Sequence, residues 1–188
     1  MLAALALGVL STLGDFIWAK YLTDGAILPG VIHGALIFLA IALVLAWSAE
    51  RAAAGSGQRV ARRLVASLPA LGVGLAAVFY PLAYALGYLV SLLITWVGMW
   101  CGTAALYRWA RDGREPRALT LARGAAAAVG SGLAFWAISG IWTRPSPDGP
   151  DYAWHLACWT FAFLPGFAAL LLPFRAHDKS IGAPDAAE

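Results

Sequence analysis

The sequence predicts an all-α protein, a single bundle of six transmembrane helices, and three observations carry that expectation. Apolar residues make up 61% of the 188 positions and charged residues 12%, where a soluble domain carries about a quarter. The charges gather in short connections between apolar runs, and a crossing needs roughly 20 apolar residues. Six crossings also place nearly all of the basic residues on one side. A chain of this size then has no room for a soluble catalytic domain, so residues 1–188 read as one integral membrane domain.

The first run, 2–19, lacks the basic start and small-residue cleavage site of a removable leader and reads as a retained helix. A turn follows, in which Lys20 and Asp24 form a solvated pair. The second run, 28–47, opens with Pro29, whose missing donor is harmless in a first turn. Residues 50–63 form a charged connection. The apolar stretch from Leu64 to Tyr107 is too long for one helix across a core of about 30 Å at 1.5 Å per residue, so it turns back once. The reversal is expected at Phe79–Tyr84, because Pro81 disfavours helix at the residue before it and tyrosines suit an interface. That divides the stretch into 64–79 and 82–106. A second basic connection, 108–117, leads to a fifth run, 119–142. The loop 143–151 is rich in proline, the sixth run spans 152–173, and a polar tail, expected to be disordered, occupies 174–188.

This arrangement collects Arg51, Arg59, Arg62, Arg63, Arg108, Arg111, Arg114, Arg117, Arg123, Arg175 and Lys179 on one side and leaves Lys20 and Arg144 on the other. Basic connections mark the cytoplasmic face, so both termini are expected there, in a plasma (inner) membrane. A five-span arrangement would split the two basic connections between the faces. The net charge of +3 and pI near 9.1 follow from topology, and no nucleic-acid partner is expected. Cys101 and Cys158 lie within apolar runs without CxxC spacing, which speaks against a disulfide framework or zinc knuckle, and they are expected to pack as small hydrophobes.

Small residues at helical spacing mark packing seams, since close approach drives helix association in lipid. Gly30 with Gly34, Gly98 with Gly102, and Gly124, Ala128 and Gly132 are such seams. Two polar stripes, Gly8–Ser11–Thr12–Asp15 and Tyr84–Tyr88–Ser91–Thr95, are expected to face the bundle or a cavity. Pro165 and Gly166 are expected to kink the sixth helix.

Asp15 lies near the end of the first run, and His33 and His155 lie a few residues into descending ones, all at a depth of about 7 Å at helical rise. Ionisable groups inside a membrane are costly and mark functional sites by default. Asp15, Trp18, His33, Tyr84, Tyr88 and His155 are therefore the candidate ligand-binding residues, with Asp15 and His33 as a coupled pair at the centre. They suit a pocket for a small amphipathic or lipid-like molecule, bound or transported from the outer leaflet. A plainer reading has the same groups only locking helices together. A third is a redox or metal-dependent membrane enzyme that uses His33 and His155 as axial ligands of haem b, or with Asp15 as ligands of a divalent metal, though no HExxH or CxxCH motif supports it. A fourth is a structural or assembly subunit without a ligand. The first and last hairpins are loosely alike, each with a Trp-bearing helix, a Pro/Gly turn and an early His, a pattern compatible with a weak repeat.

Single cysteines placed at Asp24, Ala83 and Gly149 are expected to react with an impermeant maleimide from outside the cell. Reaction of position 83 from the cytoplasm would remove the six-span arrangement.

Overall fold

The computed structural model describes residues 1–21, 27–52, 55, 57–113, 115–138 and 151–172. They form six helices: α1 (Leu2–Tyr21), α2 (Ile27–Ala52), α3 (Gly57–Leu86), α4 (Tyr88–Ala110), α5 (Arg117–Ile138) and α6 (Tyr152–Leu171). Helices α2 to α6 are long and apolar enough to cross a membrane, and α1 is apolar over Leu2–Ile17. The turn at 22–26, the loop at 139–150 and the tail from 173 lie outside the described residues.

Each helix packs against the next, and α6 returns to α1, so the six close into a ring whose thinnest seam is α1–α2. Glycines set the close approaches and show that neighbours run antiparallel. Gly34 faces Gly72, Gly98 and Gly102 face Leu75 and Leu71, Gly124 faces Cys101, Gly130 faces Pro165, and Gly8 faces Thr160. The expected seams are therefore real contacts.

Two boundaries differ from the sequence reading. The reversal inside the long apolar stretch falls at Gly87, not at Phe79–Tyr84, and α3 runs through Pro81 to Leu86. A residue before proline is biased against helix but not barred from it, whereas Gly87, at φ 84°, adopts a conformation that costs glycine alone nothing. The turn is compact: Gly87 N donates to the Ala83 carbonyl at 3.1 Å, and Ser91 Oγ donates to the Gly87 carbonyl at 2.9 Å. The charged connection 50–63 is also largely helical, α2 reaching Ala52 and α3 starting at Gly57. Long basic side chains let a helix continue past its apolar segment, because their heads reach polar surroundings while their stems cover apolar surface.

The interior is uneven. An aromatic column fills the side formed by α4, α5 and α6, with Trp96 and Trp100 against Phe135, Trp159, Phe163 and Phe167 at centroid distances of 5.0–6.4 Å. Gly166 admits the Trp100 indole, so Pro165–Gly166 serves packing within a continuous α6. The α2–α3 side is aliphatic, built from Ile41, Leu45, Leu64 and Leu68 around Phe38. Outward faces carry exposed Leu43, Leu121, Leu133 and Trp136, as a helix set in lipid would.

One end of the ring is charged, and there the charges satisfy helix termini. Glu50 accepts from Gly55 N at 3.0 Å and Gly57 N at 2.6 Å, placing an anion at the start of α3, where the helix dipole favours it. Arg63 donates to the Trp109 and Ala110 carbonyls at 3.3 and 3.2 Å, sharing the first with Asp112 N and serving the second at the open end of α4, and it pairs with Asp112. Arg123 joins Glu115 at 3.0 Å and the Leu170 carbonyl at 2.9 Å, fastening α5 to the end of α6.

Gly72 and Gly74 make a matched test of the α2–α3 seam. A methyl group at Gly72 would lie 2.6 Å from Phe38 Cδ2 and 2.7 Å from the Gly34 carbonyl oxygen, whereas one at Gly74 would meet nothing within 4 Å. Gly72→Ala is expected to destabilise the protein by about 1–3 kcal/mol, the usual cost of overpacking, and Gly74→Ala to be neutral or stabilising, as measured by thermal unfolding in detergent.

Candidate functional site

The end of the ring opposite the charged pole holds the second polar cluster, built where α1 meets α6. On α1, Gly8 and Asp15 are seven residues apart and therefore share a face at 3.6 residues per turn. Gly8 lets α6 approach at Thr160, and Asp15 then faces His155 and Trp159. On α6, His155 and Trp159 are four apart and present their ring N–H groups to the same point. Asp151 starts that helix, its carboxylate accepting from Trp154 N at 3.0 Å and its carbonyl from His155 N at 3.0 Å. The cap places His155 in the first turn.

Asp15 Oδ2 accepts both bonds, from His155 Nδ1 at 2.9 Å and from Trp159 Nε1 at 2.7 Å. The two side chains of the pair are 20% and 11% exposed, so the carboxylate is held largely out of solvent yet can still be reached. Among the described residues, neither Asp15 Oδ1 nor His155 Nε2 has a hydrogen-bonding partner. With Nδ1 donating, a neutral imidazole presents Nε2 as an acceptor, so the cluster keeps two acceptor positions unfilled. Ser11, one turn below Asp15, is 1% exposed, and its hydroxyl also has no partner among the described residues.

Beside this cluster, on the outer side of the same seam, runs a groove of about 350 Å³ lined by Val9, Thr12, Leu13, Phe16, Tyr152 and Leu156. Its walls are apolar in effect, because the Thr12 hydroxyl is turned back to the Gly8 carbonyl at 2.8 Å. Tyr152 joins groove to cluster: its ring stands 5.4 Å from Phe16, edge to face, and 5.6 Å from the His155 imidazole.

The expected Asp15–His33 pair is not the centre of this arrangement. His33 Nε2 donates to the Leu10 carbonyl at 3.2 Å, and its ring rests on Gly14, where any Cβ would collide with it. Leu10 and Gly14 share the face of α1 turned to α2, and Asp15 lies about 100° further round, turned to α6. Equal depth brought His33 within Coulombic range of Asp15 but not into contact with it. The same geometry weighs against a shared haem or metal, since the two imidazoles approach α1 from different neighbours. Among the described residues, no three His, Cys, Asp or Glu side chains form a group able to hold a metal ion. The proposed hairpin repeat also finds no matching contacts, His33 bonding to the helix before it and His155 to α1.

Of the other candidates, Tyr84 is 97% exposed and takes no part in the cluster. Trp18 and Tyr88 occupy helical positions, and their side chains lie outside the described residues. Trp159 was missed. Its signal was available as the residue one turn beyond His155, but a tryptophan in an aromatic-rich run reads first as packing.

A double-mutant cycle separates the two histidines. Asp15→Asn and His155→Gln are expected to couple by about 0.5–3 kcal/mol in unfolding free energy, as groups in contact do, with Asp15→Asn and His33→Gln closer to additive. Equal coupling to both histidines would contradict the assignment. No protein-family model matches this chain, and no curated protein or solved structure matches it either, so the role of the cluster rests on its own chemistry.

Proposed function

We propose that all six helices span a plasma membrane with the charged pole and both termini on the cytoplasmic side, and that the protein binds a small amphipathic or lipid-like molecule, in transport or in sequestration, at the outer-leaflet cluster of Asp15, His155 and Trp159. The charged pole carries the basic residues Arg51, Arg59, Arg62, Arg63, Arg108, Arg111 and Arg123, which supports that orientation.

The observation that carries the binding role is an incompletely used carboxylate beside an apolar groove. A carboxylate at membrane depth costs on the order of 3 kcal/mol to insert, and one interhelical hydrogen bond returns about 1 kcal/mol. Two bonds to one oxygen leave the second oxygen available, a poor arrangement for a purely structural lock and a suitable one for holding a ligand. The groove supplies the apolar surface and the cluster a few polar groups, the combination that small-molecule sites use. His33, seated on Gly14 across the thin α1–α2 seam, fixes the other side of α1 and so positions the helix that carries Asp15.

Organic extraction of the purified protein followed by mass spectrometry is expected to reveal a retained amphiphile. Leu13→Trp, which fills the groove from a half-exposed position, and Asp15→Asn should each reduce the amount retained without loss of the folded protein. A wild-type extract containing only bulk membrane lipid in bulk proportions, unchanged by either variant, would overturn the binding role in favour of a structural subunit.

A further inference from the structure

We infer that the ligand is an organic cation, an amphiphile whose protonated amine is held at Asp15 with its tail along the α1–α6 groove. This deepens the binding role proposed above and rests on it.

Three independent observations select the charge. First, Asp15 Oδ1 and His155 Nε2, which the cluster leaves unfilled together with the Ser11 hydroxyl, are acceptors when the imidazole is neutral, and both N–H donors of the cluster, His155 Nδ1 and Trp159 Nε1, are already committed to Asp15 Oδ2. An ammonium group brings the donors and positive charge that this set lacks; a phosphate or carboxylate head would set like charge against Asp15. Second, aromatic rings stand at the same place, Phe16 and Tyr152 edge to face at 5.4 Å with Tyr152 also against His155. Ring faces attract cations by about 0.5–2 kcal/mol, the larger value applying where water is excluded. Third, this pole is acidic in an otherwise basic protein. Among the described residues, the acidic side chains at this end are Asp15 and Asp151, and Arg59, Arg63, Arg108 and Arg123 lie at the opposite pole. A cation approaching this pole meets an attractive field. His33 faces the same helix from α2, but its Nε2 is turned to the Leu10 carbonyl, away from the unfilled positions.

An anionic lipid satisfies none of the three, and a neutral one offers at most a hydrogen-bond donor without the charge. The groove alone would accept any chain, so selection belongs to the head group, and a series with a constant tail isolates it.

The test measures binding of dodecylamine, dodecanol and dodecyl phosphate to the full chain in phosphatidylcholine nanodiscs, read by tryptophan fluorescence and corrected with empty discs. Dodecylamine is expected to bind about tenfold tighter than dodecanol, and dodecyl phosphate more weakly than either, as suits one desolvated charge contact. Asp15→Asn should bring the amine-to-alcohol ratio to about one. If Asp15→Asn does not fold, Tyr152→Leu decides: it alters the groove for every tail alike, so the amine-to-alcohol ratio, and not the dodecanol affinity, is the readout, and it should fall severalfold. Equal binding of all three amphiphiles, or a ratio unmoved by these variants, would overturn the cation assignment and leave amphiphile binding standing. Binding of none of them would overturn both.

Discussion

The closure of α6 onto α1 is the contact on which the rest of the ring depends. Every other neighbouring pair is consecutive in the chain, held together in part by a connection; α1 and α6 are joined only by what their faces offer each other. In lipid no hydrophobic force presses helices together, so the seam relies on close packing and polar contact. Gly8 provides the first by admitting Thr160, and Asp15 the second by accepting from His155 and Trp159. The same two bonds that close the ring assemble the candidate site. A structural role and the proposed binding role therefore meet at Asp15, and head-group preference distinguishes them better than stability does.

The two poles of the molecule use charge for different ends. At the basic pole, Glu50, Arg63 and Arg123 are spent on backbone groups that helix ends leave open, and their carboxylate partners are arranged around the same termini. At the other pole one carboxylate is half used, beside aromatic rings and a groove. That contrast, more than the presence of ionisable residues as such, separates a fastening from a site.

Between the poles the interior divides by side-chain type. The α2–α3 wall is aliphatic and closes on Gly34 and Gly72, backbone near backbone. The α4–α5–α6 side is a column of indoles and phenyl rings in which glycine at 166 leaves room for Trp100, set edge to face against Phe163 and Phe167. Trp159 belongs to both systems: its ring stacks in this column and its N–H holds Asp15. The column thereby positions one donor of the candidate site.

What the sequence by itself determined was the helical class, the number of apolar elements, the glycine seams and the membership of Asp15 and His155 in one polar layer. These follow from quantities local in the chain: composition, run length, the spacing of small residues, and depth counted from a helix end. What only the tertiary structure decided was partnership. Asp15 and His33 share a depth and a hairpin, yet the step from Gly14 to Asp15 turns them to different neighbours, and rotation about a helix axis leaves little trace in a helix that is apolar on every side. The reversal at Gly87 was likewise hidden. Proline announces a local bias that packing can override, whereas the freedom of glycine becomes visible only where the chain adopts a positive φ. Trp159 reads as one more aromatic until α6 is set against α1, because a hydrogen bond between residues 15 and 159 is a property of the closed ring and of no segment within it.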